Sequence, residues 1–357
     1  MTKIRQEMTK RKVAILPPEK FKSLTYVGQK NKAAGLKAVK VSLDHVAEEL
    51  GLLKGMKLLA KMNQKDGFDC PGCAWPDPDE ERSKLGEYCE NGAKAIAEEA
   101  TTKRITADFF KNNSVEELSL ESDYVIGKYG RLTEPMFLAE DSSHYKPISW
   151  DDAFQKIGFK LKSLSSPDEA AFYTSGRTSN EAAYLYQLFV RQYGTNNLPD
   201  CSNMCHESSG AGLSKTVGIG KGSVTLQDMH EAEVIVVMGQ NPGTNHPRML
   251  SALEKCKHNG GKIVTINPLH EAGTNTFVDP QSVSSVLKGG VKLENLFLQV
   301  KINGDVALLN AVMILMLQAE EKKPGSVFDL DFIKKQTAGY DKLIQHLKLS
   351  DFNKAVK

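Results

Sequence analysis

Three of the six cysteines in this chain, Cys70, Cys73 and Cys89, fall in one short stretch, and the first two form a Cys-Pro-Gly-Cys turn. Such a turn brings two thiolates close enough to share one site, which suits zinc, an iron–sulfur cluster or a redox dithiol. Six cysteines in 357 residues are too few for a disulfide scaffold, and their crowding favours metal ligation in a reducing compartment. A second group of reactive types runs Asp200-Cys-Ser-Asn-Met-Cys205-His206-Glu-Ser-Ser-Gly210, with a thiol and an imidazole adjacent among small polar residues. A thiolate is a soft metal ligand, and an imidazole titrates near neutrality and can take a proton. Cys256 falls on the apolar side of a predicted helix and reads as core, as does Cys201. Gly218-Ile-Gly220-Lys-Gly222 lacks the G-x-G-x-x-G spacing and is weak support for a nucleotide site.

The elements that must position these groups follow α/β grammar. Residues 1–65 are Lys-rich and read as an arm, with one amphipathic helix from Ser42 through Leu53 carried by Val46, Leu50 and Leu53. Pro71, Pro76 and Pro78 exclude a long helix in the cysteine segment until Asn91. Ser149-Trp-Asp-Asp152 is a capping signal, after which Phe154, Ile157 and Leu161 recur at helical spacing. A strand is expected over Ala170–Thr174 and a helix over Glu181–Tyr193. Glu233–Met238, a helix carrying Met249, Leu250, Leu253 and Cys256, and Lys262–Ile266 spell a βαβ unit whose apolar strands suit a parallel sheet covered on both faces. Ligands in that architecture sit at the carboxyl ends of strands, which here are Gly239–Asn245 and Asn267-Pro268. A further strand, Leu296–Ile302, leads to an apolar helix, Val306–Leu317, with Asp305 as its expected N-cap.

With 40% apolar and 25% charged residues the chain can form two or three compact domains. Net charge is +2, from 46 basic and 44 acidic side chains, so no electrostatic footprint points to nucleic acid or a membrane surface. The basic start, MTKIRQEMTKRK, is followed by no apolar signal region and carries no twin-arginine pair, and no apolar run reaches the ~18 residues of a membrane helix. The expected location is the cytoplasm, and the expected partners are a small-molecule substrate and other proteins.

The run from Gly194-Thr-Asn-Asn197 through Cys205-His206-Glu-Ser-Ser-Gly-Ala-Gly-Leu213, then Gly239-Gln-Asn-Pro-Gly-Thr-Asn-His-Pro247, resembles the molybdopterin oxidoreductase family, closest to formate dehydrogenase alpha subunits. Leu132-Thr-Glu-Pro-Met136, Pro147-Ile-Ser-Trp-Asp-Asp-Ala153 and Asn303-Gly-Asp-Val-Ala-Leu-Leu-Asn-Ala311 extend the resemblance, in order, from Cys70 to about Tyr340. The Cys-Pro-Gly-Cys-Ala-Trp-Pro-Asp-Pro run is similar to a branch described as formate dehydrogenase-like or acid-resistance oxidoreductases. The resemblance implies a small N-terminal iron–sulfur domain (66–125) followed by doubly wound, Rossmann-like α/β domains. In that scheme 126–200 is the first part of a discontinuous domain and 201–357 an incomplete molybdopterin dinucleotide-binding domain.

It further implies a molybdenum bis(molybdopterin guanine dinucleotide) cofactor and a [4Fe-4S] cluster that passes electrons. The family's cluster motif, C-x-x-C-x-x-x-C with a distant fourth cysteine, maps onto Cys70, Cys73 and Cys89, with Asp77 in the third place and a much shorter final spacing. Lys94 lies near the place of a lysine that bridges cluster and pterin. Cys205 takes the place of the molybdenum-ligating cysteine or selenocysteine, and His206 that of the histidine that assists substrate oxidation. Asn241, Thr244, Asn245, His246 and Asn267 occupy strand ends where pterin and phosphate groups are held, and Asp305 one where a carboxylate accepts from guanine; each also fits a turn or capping role. The implied reaction is oxidation of a small substrate, formate by default, with electrons leaving to an acceptor protein or a quinone-linked partner. The family is roughly twice as long, and its substrate-binding arginine would fall beyond residue 357. A non-catalytic cofactor-binding protein and a zinc-stabilised interaction module are the rival readings.

Overall fold

The structure is a computed structural model that describes residues 28, 30–73, 75–79, 82–199 and 201–352. The basic stretch Met1–Lys12 lies outside the described residues. Two compact units form, one of Leu36–Leu226 and one of Asn31–Gly35 with Gln227 onward. Among the described residues no helix is long and apolar enough to cross a membrane.

The first unit begins with α1 (Gly35–Leu50), longer at its start than the predicted Ser42–Leu53 and ended earlier. The reason is Gly51, whose φ of 75° breaks the helix and starts α2 (Leu52–Leu59) in a new direction. Gly55 then lets α2 close on α1, because a Cβ there would lie 2.1 Å from Val46 Cγ1. With α3 (Glu90–Glu99), these helices enclose a core of Val46, Leu59, Met62, Ala93 and Ala97, against which Cys70, Phe68 and Tyr88 pack. The Lys-rich lead-in and the cysteine segment therefore share one core.

Further along, α4 (Trp150–Lys162) starts where the capping signal predicts, with Ser149 Oγ accepting from the Asp152 N–H at 3.1 Å. Phe154 and Ile157 on its predicted apolar face are more than half exposed. Ala170–Thr174 does not form the expected strand. Its Phe172 N–H donates to Asn197 O at 2.9 Å, and the Phe172 ring is buried among Tyr186, Phe189 and Tyr193 on α5 (Asn180–Tyr193). Side-chain packing, the bond to Asn197 and a single bridge residue at Thr174 take the place of an extended strand. The unit ends with α6 (Cys201–Thr216).

In the second unit β1 (Val234–Met238), β2 (Lys262–Asn267) and β3 (Leu296–Gln299) form a parallel sheet with β2 in the centre, in register Val236 to Val264 and Val264 to Leu296. Crossover helix α7 (Arg248–His258) buries Leu250, Leu253 and Cys256 against Val237 and Ile263. Cys256 is core as predicted, its Sγ donating to Ala232 O at 3.2 Å. The expectation of two covered faces holds for one: Val234 and Val236 are more than half exposed. A small second sheet pairs Ala33–Ala34 with Thr276–Val278, and the latter with Val291–Lys292.

The third strand stops at Gln299, short of the predicted Ile302. Asn303 then turns with φ of 66°, and Gly304, bonded to Lys301 O at 2.8 Å, becomes the N-cap of α8 (Asp305–Lys322). Asp305 is thus the first helical residue and not the cap; the left-handed turn has moved the helix start by one residue.

Glu254 on α7 is buried, and desolvation, with a smaller contribution from the nearby Asp279 charge, pushes its carboxyl up to about 7. The folded-state value lies above the unfolded one, so its stabilising contribution is complete below pH ~4.5 and lost as pH rises through about 7. Glu254→Gln removes that loss: urea titrations at pH 5 and pH 8 should show the wild type weakening by at most about 3 kcal/mol and the variant changing far less.

Candidate functional site

The cysteine loop is tied together by Asn63, a buried residue held at φ 57°. Its N–H donates to Phe68 O at 2.7 Å, its Oδ1 accepts from the Cys70 N–H at 2.8 Å, and its Nδ2 donates to Glu87 O at 2.6 Å. Its carbonyl accepts from Arg82 Nη1 at 2.5 Å. One side chain and its own peptide groups thus fix Cys70 beside the chain that leads into Cys89. Sequence reading passed over it; its signal is an asparagine, the non-glycine type best suited to a left-handed turn, just before a C-x-x-C segment.

Cys89 is the N-cap of α3, its Sγ accepting from the Gly92 N–H at 3.4 Å. Burial pushes its thiol above the ordinary range, with Cys73 and Cys70 pushing the same way, so the three sulfurs are electrostatic neighbours. Gly92 makes their approach possible: a Cβ there would stand 2.9 Å from Cys70 Sγ and 3.9 Å from Cys89 Sγ. The Cys70 sulfur also accepts from the Gly72 N–H at 3.3 Å. Among the described residues no group of three His, Cys, Asp or Glu side chains is placed to hold a metal ion. Asp77 Oδ2 lies 3.6 Å from Arg82 Nη1, both side chains mostly buried. Lys94, one turn into α3, holds Glu90 at 2.6 Å and is about one-third exposed.

Cys205 and His206 lie on α6, both exposed and past the helix's first turn. Nothing approaches within 4 Å of a Cβ built on Gly210 or Gly212, so the small-residue part of this helix is open as well.

In the second unit the strand ends form a connected pair of turns. Asn241 caps the short helix Pro242–Asn245, Oδ1 accepting from the Thr244 N–H at 3.3 Å, while Nδ2 donates to Glu271 Oε2 at 2.9 Å. Glu271 opens the matching turn Ala272–Asn275 after β2. The two turns meet glycine on glycine: a Cβ on Gly243 would be 2.9 Å from Gly273 Cα, and one on Gly273 would be 2.7 Å from Gly243 Cα. His246 ends the first turn. Asn267 is buried at the end of β2 and donates to Leu269 O at 2.8 Å. Asn241 and Asn267 therefore carry turn bonds at the carboxyl end of the sheet, and Asp305 sits at the start of α8 beyond β3.

Beside them is a pair that sequence reading missed. His270 Nε2 lies 2.6 Å from Glu294 Oε1 and its ring lies over Phe297 at 4.5 Å, while the buried Glu294 Oε2 has no partner among the described residues.

Asn63→Gly keeps the left-handed turn and deletes two buried side-chain hydrogen bonds, so it should cost about 1–3 kcal/mol in chemical denaturation. Asn63→Ala should cost about 1 kcal/mol more, from the turn itself. Alkylation of Cys70 should accelerate in both.

Residues 131–323 match the molybdopterin oxidoreductase family. The chain is 55% identical over 319 residues to an uncharacterized oxidoreductase of Mycobacterium tuberculosis, covering 89% of this chain and 41% of that protein. It is 45% identical over 316 residues to protein YdeP of Escherichia coli, covering 87% and 41% respectively. With the F420-dependent formate dehydrogenase 2 subunit alpha of Methanococcus maripaludis it shares 29% identity over 262 residues, 72% of this chain and 35% of that one. The chain spans about two fifths of the length of the first two relatives. With more than half of its residues inside the family match, this chain belongs to the molybdopterin oxidoreductase family.

Proposed function

We propose that this chain forms the cluster-binding and part of the pterin-binding portion of a cytoplasmic molybdenum oxidoreductase of the formate dehydrogenase type. Family membership implies a molybdenum–pterin cofactor, and the finer assignment rests on the residues. The observation that carries it is the meeting of Cys70 and Cys89 across Gly92, with Cys73 close enough to raise the Cys89 thiol. Three neighbouring cysteines would repel one another only as thiolates, and a bound cation such as iron would offset that repulsion. In this reading the three cysteines would hold a [4Fe-4S] cluster once drawn together around it. Asp77, now beside Arg82, would be the remaining ligand, and Lys94 would supply positive charge near the cluster.

The molybdenum–pterin group, when bound, supplies the two-electron redox step. The chain's own part is to hold and to move a proton. The Cys205 thiolate is a soft donor on an open helix face, suited to molybdenum. His206 follows it on the same helix, about 100° round, and in this reading would accept a proton released by formate or a similar small acid. Asn241, Thr244, His246 and Asn267 line the strand ends that would hold a guanine dinucleotide form of the pterin, and the Asp305 carboxylate would accept from the guanine N–H groups. The electron acceptor in this scheme is a separate protein or a quinone-linked partner.

Metal and acid-labile sulfide analysis of anaerobically purified protein tests the reading. The expected result is about four iron and four sulfide per chain, lost in Cys70→Ser and reduced in Gly92→Ala, whose added methyl enters the space beside Cys70 Sγ. Cys205→Ser should leave iron unchanged and weaken molybdenum retention. Zinc without iron, or full iron retention in Cys70→Ser, would overturn it.

A further inference from the structure

The outer face of α2 is unusual for a surface helix. Leu52, Leu53 and Met56 are 56%, 84% and 45% exposed and, with Ala60, form a continuous stripe at helical spacing. Lys54, Lys57 and Lys61 flank that stripe on one side, and the helix contains no acidic residue. Asp66 pairs with Lys61, and Lys65 and Lys84 add positive charge on the adjoining loops. The inner face of the same helix places Leu59 in the core against which Cys70 packs, and Met62, just beyond it, reaches toward Gly92. The stripe and the thiol cluster are thus separated by about one helix diameter, roughly 10 Å.

An apolar stripe flanked on one side by lysines is complementary to a surface with an apolar stripe flanked by carboxylates. Such a match steers encounter through the charges, and a small apolar patch gives a contact that releases readily. We propose that the Leu52–Leu59 face is the docking surface for a small acidic electron-carrier protein of the ferredoxin type. The function assigned to this surface rests on the reading of Cys70, Cys73 and Cys89 as cluster ligands, since the face matters for electron exit only if electrons reach Cys70. The exposed apolar helix α4 also carries lysines, Lys156, Lys160 and Lys162, but it has Asp151 and Asp152 in its first turn, and neither α4 nor α5 contributes to the core against which Cys70 packs.

The test is binding of a plant-type [2Fe-2S] ferredoxin to the full chain, followed by titration at low and raised ionic strength, with iron content measured on the same samples. Expected is saturable binding that weakens about tenfold or more between about 50 and 300 mM salt, and about tenfold again in Lys54→Glu/Lys57→Glu. Leu53→Ser/Met56→Ser should weaken binding at both salt concentrations, and Lys288→Glu, in the second unit, should not change it. Circular dichroism confirms that each variant folds. Absence of ferredoxin binding at low salt, or binding indifferent to the paired lysine reversal, overturns the docking surface. Acidic phospholipid vesicles captured through the same lysines, with no ferredoxin binding, overturn it in favour of a membrane contact. Chain that lacks iron yet binds ferredoxin through Lys54 and Lys57 supports the surface while sinking the cluster assignment, so the two failures are separable.

Discussion

The first unit depends on one buried asparagine. Asn63 spends its side chain and both its peptide groups on four different partners, Phe68, Cys70, Glu87 and Arg82. A loop with several prolines and little regular structure has few ladder bonds to hold it, so its shape must come from such local ties. The φ of 57° is the condition for all four bonds at once. Without that turn, Cys70 would not be presented to Cys89 across Gly92, and the cysteines would be near one another in sequence but not in space.

Much of this was legible beforehand for reasons that are local. The Ser149 cap and the apolar runs of β1 and β2 each depend on near neighbours along the chain, and each formed as the residue types require. Cys256 could be assigned to the core because helical spacing places it with Leu250 and Leu253. The misses came where a residue's conformation depends on something distant or on a rare backbone region. Gly51 ended a helix that apolar periodicity would have continued, and Asn303 shifted the start of α8 past the cap that Asp305 was expected to form. The Ala170–Thr174 run has strand-like composition, but its outcome was decided by where the Phe172 ring could be buried.

The candidate site divides along the same line. Cysteine spacing announces a thiol cluster, whereas the glycine that admits the sulfurs looks like any other helix glycine until the distances are known. Asn241 and Asn267 were recognisable by position at strand ends; their bonds to Glu271 and Leu269 are tertiary and could not be read from type. Periodicity likewise identifies an apolar helix face without saying what lies against it, as Phe154, Ile157 and Met56 illustrate.

The contact of Gly243 with Gly273 has a bearing on how this architecture can vary. The two turns at the carboxyl ends of β1 and β2 share no hydrogen-bond ladder, yet neither can accept a methyl group without displacing the backbone of the other. Asn241 and Glu271 fasten the same two turns from the side. The loops are therefore sterically a matched set: transplanting one into a related scaffold without its counterpart would bring a mismatched surface against an unyielding one. A change of ligand preference at this end of the sheet would have to arise in residues outside the glycine contact, or through paired replacements on both turns together.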